Sequence, residues 1–441
     1  MIKSLKLKNV GPAKNIDITF GERLNIITGD NGLGKSFLLD IIWYALSRRW
    51  PAEVNKKLNS GYMAQPLSGE RGTISFDLIT DNNKKIEDYS CSFDRKKWSW
   101  IGKAGRPYNP GLVIYAHADG SFSVWDPAKN YWEKRDNVDI QERQPAYVFS
   151  PPEIWNGLED DKGTRLCNGL IADWAGWQKE KGKEYQTLCN TLSHISPPGE
   201  TPISPGELTR ISIDDARDIP TIKMPYGEDI PVLFASSGIR RILALSYALV
   251  WSLSEHAKAS KLLAQDTTSR ITFLIDEVEA HLHPKWQRQI ISSLIDIMSN
   301  EPYQISKTSK VARRSPVDVQ IIAATHSPLI MASIEPLFEP EKDAWFDLDI
   351  NEEHAVEMFK RDFELKGDAE NWLTSKAFDL KSTRSMESEK LIEEAATLLD
   401  VPNPDVKKIK EKYDTLCQKL SPKDDFLFRW RFICEKKGYL K

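Results

Sequence analysis

The residues Gly29-Asp30-Asn31-Gly32-Leu33-Gly34-Lys35-Ser36 fit the pattern G-x-x-x-x-G-K-[ST] at every fixed position. Glycines let such a loop wrap closely around an anion, so that backbone N–H groups and the start of the next helix face phosphate oxygens. A lysine placed as Lys35 reaches the β- and γ-phosphates, and a hydroxyl placed as Ser36 ligates Mg²⁺. The flanks agree with this chemistry. Residues 24–28 read as a buried strand and 37–49 as an amphipathic helix. The stretch implies a nucleoside triphosphate.

Further along, the apolar strand 271–275 runs straight into Asp276-Glu277. A strand ending this way places one acid (Asp276) as a Mg²⁺ ligand and the next (Glu277) as the group that orients an attacking water. The strand 319–324 is followed by Thr325-His326, which puts His326 at the same carboxyl edge, where it can contact the γ-phosphate. Ser236-Ser237-Gly238, with Arg240 just beyond, opens an apolar helix over 238–255. Its hydroxyls suit an N-cap, and its free N–H groups suit an anion.

Positioning these groups takes a particular set of elements. Strands are expected at 4–9, 16–20 and 24–28, and after the first helix come short alternating stretches at 72–79, 88–94, 97–101, 112–117 and 121–126. They imply an antiparallel β-subdomain inserted in the first 150 residues. Residues 151–232 read as a tryptophan-bearing helical and irregular lobe, with a proline-broken strand pair over 205–232. Residues 233–337 alternate helix 238–255, strand 271–275, helix 284–298 and strand 319–324, which requires a parallel sheet. From 338 to 441 the chain reads as a helical tail, with helices at 385–399 and 403–420.

The chain has 441 residues, a formal charge of −4, 40% hydrophobic and 28% charged residues. That composition is globular and shows no overall basic field for nucleic acid. The cysteines (Cys91, Cys167, Cys189, Cys417, Cys434) lie far apart, which argues for free thiols in a reducing cytoplasm. No apolar run approaches a membrane span, and no sustained heptads exist between Ser36 and Ser236, which excludes a long coiled-coil arm. Nucleic-acid contact rests on local clusters: Lys307 and Lys310 with Arg313 and Arg314, Arg95-Lys96-Lys97-Trp98, and Lys407, Lys408 with Lys410.

Taken in order, GDNGLGKS, FASSGIRR, FLIDEVEAHLHP and AATHSP resemble the ATPase head of the ABC superfamily. The soluble branch that includes the SMC and OLD families is the nearest, and within it the compact ATPases of bacterial antiphage defence of the Septu type. The resemblance implies an α/β phosphate-loop head that binds ATP and Mg²⁺ and hydrolyses ATP. It makes Ser236, Ser237, Gly238 and Arg240 a signature acting in trans on the nucleotide of a second copy. It makes Glu279, His281 and His283 part of a dimer-facing loop. Ile239 departs from the Glu or Gln common in that signature. The family's linking glutamine has two candidates, Gln65 and Gln144. The implied partners are a second copy of this chain and a separate effector such as a nuclease, with nucleic acid open and no membrane.

Other readings are weaker. His281 and His283 suggest a metal only with further ligands nearby. Asp347-Leu348-Asp349 contains a D-x-D that a built-in nuclease would need, but an acidic edge strand before a docking tail accounts for it. Beside the effector-controlling ATPase stands a second class, an ATP-gated scaffold with little turnover.

Overall fold

The computed structural model describes residues 1–67, 69–79, 86–103, 108–135, 138–141, 143, 145–306, 317–401 and 404–440. The chain divides into two compact units, 1–369 and 370–441.

The first unit is built on an eight-stranded sheet in the order Ala146–Phe149, Phe122–Trp125, Leu112–Ala116, Arg270–Ile275, Asp318–Ala324, Leu24–Gly29, Ala344–Ile350, Val356–Arg361. From Leu112–Ala116 to Ala344–Ile350 all neighbours run parallel, and the outer strands close both sides antiparallel. Apolar continuity explains the middle. Leu24–Gly29, Leu112–Ala116 and Arg270–Ile275 are buried at every residue, as strands covered on both faces must be.

One face carries the helix Lys35–Ser47, apolar nearly all round, because a second sheet covers its other side. That sheet is antiparallel, in the order Asn15–Thr19, Ile2–Lys8, Thr73–Ile79, Ile86–Asp94, Ser99–Ile101. Thr73–Ile79 buries every second residue, the period of a half-covered strand. The antiparallel stretches expected after the first helix are therefore shared out. Those before residue 102 extend the N-terminal hairpin, and the later ones join the main sheet. The long helix Ser237–Leu262 packs with Lys183–Ile195 and Ile290–Ser306 against the main sheet's opposite face. Residues 204–231 form a small three-stranded sheet, one strand more than expected.

The segment from 338 differs from the expected helical tail. Ala344–Ile350 pairs in parallel with the phosphate-loop strand, and Val356–Arg361 covers its outer side, so the break falls after 369. The acidic strand expected around the D-x-D is present, but inside the sheet and not at its edge. Asp347 is 2% exposed, accepts a hydrogen bond from Thr28 (2.8 Å) and pairs with Arg361, so an acid-bearing strand sits inside the sheet. The second unit holds Met386–Asp400, Val406–Lys419 and Asp425–Lys436, each opened by an Asp or Ser cap and joined around Ala395, Ile409, Leu416 and Trp430.

Candidate nucleotide-binding and hydrolysis site

The parallel strands deliver the loop 29–36, the acids 276–279 and His326 to one edge of the main sheet. Gly29 has φ +133°, and a Cβ there would lie 2.4 Å from the Leu348 carbonyl oxygen. Gly34 has φ +99°, and a Cβ there would meet Pro12 at 2.8 Å. Both positions require glycine on conformation and on space. Asp30, Asn31 and Ser36 are exposed at the loop's mouth, whereas the Leu33 side chain turns into the core. Lys35 is 5% exposed, and its ammonium donates to the carbonyls of Gly29 (2.8 Å) and Asp30 (2.9 Å). Burial lowers its pKa, opposed by the charges of Asp276 and Glu277. The loop thus holds a positive charge on its inner side.

Asp276 is 2% exposed, and burial pushes its carboxyl up to about 6 against the lowering effect of a hydrogen bond with Ser36. Its Oδ1 is buried and has no hydrogen-bond partner among the described residues. An enclosed carboxylate oxygen left without a donor costs free energy unless a cation satisfies it. Asp276 beside Ser36 therefore fits a Mg²⁺ ion, which would neutralise phosphate charge when bound.

Glu277 follows with φ +47°, a left-handed conformation uncommon outside glycine, asparagine and aspartate. The turn is pinned on both sides, by Asp276 N–H on the Ala116 carbonyl (2.9 Å) and by Val278 N–H on the Ala324 carbonyl (3.3 Å). Backbone strain held by its surroundings is a common mark of working residues. His326 is half-buried, and burial together with Lys35 lowers its pKa below the ordinary 6.5, so its imidazole is neutral at pH 7.

Glu279 has a role that the spacing did not reveal. Its carboxylate turns inward, accepting from the Thr325 hydroxyl (2.7 Å) and from the His326 backbone N–H. It ties the loop after one strand to the loop after the next. Arg241 is a second residue the sequence reading passed over. Its guanidinium donates to the carbonyls of Ala118 (3.2 Å) and Asp276 (3.4 Å), linking the helix Ser237–Leu262 to the end of the Asp276 strand. A run of two arginines was visible, but not which one faced inward.

Ser236 caps that helix, its hydroxyl accepting from Ile239 N–H (3.4 Å). Ser236, Ser237 and Arg240 are exposed, with no acid in the first turn. A Cβ on Gly238 would lie 2.5 Å from the His281 carbonyl oxygen, so the helix start and the loop after Glu279 touch backbone to backbone. His281 and His283 are exposed, His283 capping the short helix Pro284–Gln287. No metal-binding group of three or more His, Cys, Asp or Glu exists among the described residues.

Gln65 is exposed, and Gln144 lies outside the described residues, as does the Lys307 to Arg314 cluster. Lys407, Lys408 and Lys410 are solvated on a helix of the second unit. Arg95 donates to the carbonyls of Leu67 and Glu70.

Asp40, one helical turn beyond Ser36, gives a pH-dependent prediction. Burial pushes its carboxyl up to about 7, and Tyr115 donates to it (3.1 Å). The folded state then holds a proton that the unfolded state releases near its ordinary 3.8. Stability from this group is highest below about pH 4, falls as pH rises to about 7 and is level above. Asp40→Asn, a mimic of the protonated acid, is expected to match the wild type near pH 4. At pH 8, without metal or nucleotide, it should be more stable by ~2 kcal/mol after allowing for solvent at the rim. Thermal melts across that range check it, and a pH-independent difference would refute it.

The fold and the loop 29–36 define a phosphate-loop ATPase head of the ABC type. The chain belongs to the family described as "AAA domain, putative AbiEii toxin, Type IV TA system", whose model matches residues 24–332. It is similar to the Septu protein PtuA of Bacillus thuringiensis, 22% identical over 74% of this chain and 72% of that one. It is also similar to the Retron Vc95 probable ATPase of Vibrio cholerae, 27% identical over 60% of this chain. The Retron Ec83 probable ATPase of Escherichia coli is 24% identical over 69% of this chain. Of the two retron proteins the chain spans only 47% and 52%. Among solved structures, the SMC head domain from Thermotoga maritima aligns with 82% of this chain and 99% of that one, at 12% identity and a TM-score of 0.38. No helix among the described residues is long and apolar enough to cross a membrane.

Proposed function

We propose that this chain binds ATP with Mg²⁺ on the loop 29–36 and hydrolyses it, that two copies close head to head around two nucleotides, and that the cycle controls an effector, such as a nuclease, in antiphage defence. The observation that carries the ATPase reading is the buried, unsatisfied Oδ1 of Asp276 beside Ser36, next to the loop-bound ammonium of Lys35. Lys35 and the loop amides hold the phosphates. Ser36 and Asp276 hold the metal. Glu277 orients and deprotonates the attacking water, and neutral His326 donates to the γ-phosphate, its backbone fixed by Glu279. The exposed helix start at Ser236 and Ser237 supports a role in trans, since a free N-terminus without acids suits a phosphate from another copy. Similarity to a Septu protein and two retron ATPases supports the place in defence.

The test mixes Lys35→Ala with Ser237→Arg. Each variant alone is expected to be inactive. A random mixture places one intact composite site in half of its dimers, so about a quarter of wild-type turnover returns if the sites act independently. Light scattering of the wild type with ATP is the companion measurement. A mixture that stays inactive, with a wild type that stays monomeric, would overturn head-to-head closure. ATP-dependent dimers without phosphate release would instead favour the scaffold reading.

A further inference from the structure

A separate cavity of about 380 Å³ lies at the far end of the phosphate-loop helix. That helix has 13 residues, which puts its last turn about 20 Å from Lys35 and Ser36. The cavity is walled by the helix end, by the antiparallel sheet and by the hairpin of Trp132–Arg135 with Val138–Gln141.

Arg48 dominates it. This residue caps the helix with φ +63°, where glycine or asparagine is usual, so a side chain is kept at a conformational cost. Its guanidinium lies over the adjacent rings of Phe76 and Tyr89, 4.2 and 4.3 Å from their centroids, which are themselves 5.4 Å apart. Its one hydrogen bond among the described residues is a weak one to the Cys91 sulfur (3.6 Å), and no carboxylate there pairs with it. With the guanidinium laid on these rings and no acid beside it, its N–H groups are the part left to work. An arginine edge grips a phosphate through two parallel hydrogen bonds, which a lysine cannot do.

The remaining walls fit what is attached to such a phosphate. Trp100, Trp132 and Tyr108 line the cavity too, aromatic side chains of the kind that stack on a base. The Trp125 indole N–H is buried and has no partner among the described residues. Glu87 and Asp88 also line the cavity. These acids suit hydroxyl or amino donors, and Arg49 and Lys103 line the cavity beside them. The volume is that of a small-molecule site.

We propose that this cavity is a second binding site, for a nucleoside monophosphate group, either free or as the phosphorylated end of a nucleic-acid strand. Arg48 holds the phosphate and the aromatic walls stack the base. The site rests on the last turn of the helix whose first turn carries Lys35.

The test uses full-length Lys35→Ala, which removes the phosphate-loop lysine, and follows tryptophan fluorescence and calorimetry. The probes are AMP, adenosine, and a short single-stranded oligodeoxynucleotide with and without a 5′-phosphate. One saturable site is expected for AMP, for the phosphorylated strand, or for both, at least ~10-fold tighter than for the same probe without phosphate. Binding to AMP alone identifies the free nucleotide as the source, and binding to the phosphorylated strand alone identifies the strand end. Arg48→Gly, which relieves the backbone, should weaken binding at least ~10-fold, with partial rescue by Arg48→Lys. Trp132→Ala, in the hairpin, should weaken it independently and covers any folding defect of the first variant. No saturable binding of either phosphorylated probe, or binding unchanged by both Arg48→Gly and Trp132→Ala, would overturn the proposal. Because the readout is binding in a turnover-deficient background, it stands or falls apart from the ATPase reading.

Discussion

Glu277→Gln is expected to slow ATP hydrolysis by roughly 10²–10⁴-fold while leaving nucleotide affinity within a few-fold. The side chain keeps its length and can still accept a hydrogen bond from water, but it no longer takes the proton. The backbone at φ +47° tolerates glutamine as it does glutamate, so the turn that holds Asp276 is not disturbed. Binding of a fluorescent ATP analogue and steady-state phosphate release separate the two effects. A rival base is present in the site. His326 is neutral at pH 7 and half-buried beside Lys35, so it could accept a proton itself. If it were the base, His326→Ala would abolish turnover and Glu277→Gln would leave it nearly intact. The opposite result is expected, because an imidazole whose protonation Lys35 opposes serves better as a donor to phosphate. A locked, ATP-bound dimer in Glu277→Gln would extend the same result to the head-to-head model.

The elements that hold this site were legible because their residues leave few options. Leu24–Gly29 and Arg270–Ile275 are continuous apolar runs that only a covered parallel sheet accommodates, and the glycine pattern around Lys35 admits few other loops. What spacing could not show is where a polar side chain turns. Glu279 reads as one more acid of an exposed loop, and only the strand register beside it brings Thr325 and the His326 amide within its reach. Arg240 and Arg241 are adjacent, yet one is exposed and the other spans two carbonyls. Ala344–Ile350 read as an acidic edge strand, and its place inside the main sheet was not legible for a related reason. Its acids belong to a solvated edge by composition, and it enters the sheet because Arg361 and Thr28 satisfy Asp347 inside it. Local pattern reports periodicity and loop chemistry. Long-range pairing of charges is reported only by the fold.

Glu279→Ala is expected to lower turnover by about 10–100-fold with little change in apparent ATP affinity, and to destabilise the protein by about 2–4 kcal/mol. The stability loss follows from two donors left without their acceptor, the Thr325 hydroxyl and the His326 N–H, each costing about 1–3 kcal/mol where solvent cannot replace it. The kinetic loss follows from geometry. In the proposed mechanism His326 reaches the nucleotide from a loop that Glu279 holds, and a shift of about 1 Å in a catalytic group costs up to roughly 10²-fold. Glu279→Gln distinguishes positioning from charge. Its amide oxygen can still accept from the His326 N–H while its NH₂ faces the Thr325 oxygen, so most of the turnover and stability should return. If charge were the contribution, glutamine would be as poor as alanine, and the effect would diminish with added salt. If Glu279 served only at a surface between two copies, both variants would melt like the wild type, and ATP-dependent association alone would change. The inward turn of the carboxylate, onto groups of its own chain, argues for the positioning role.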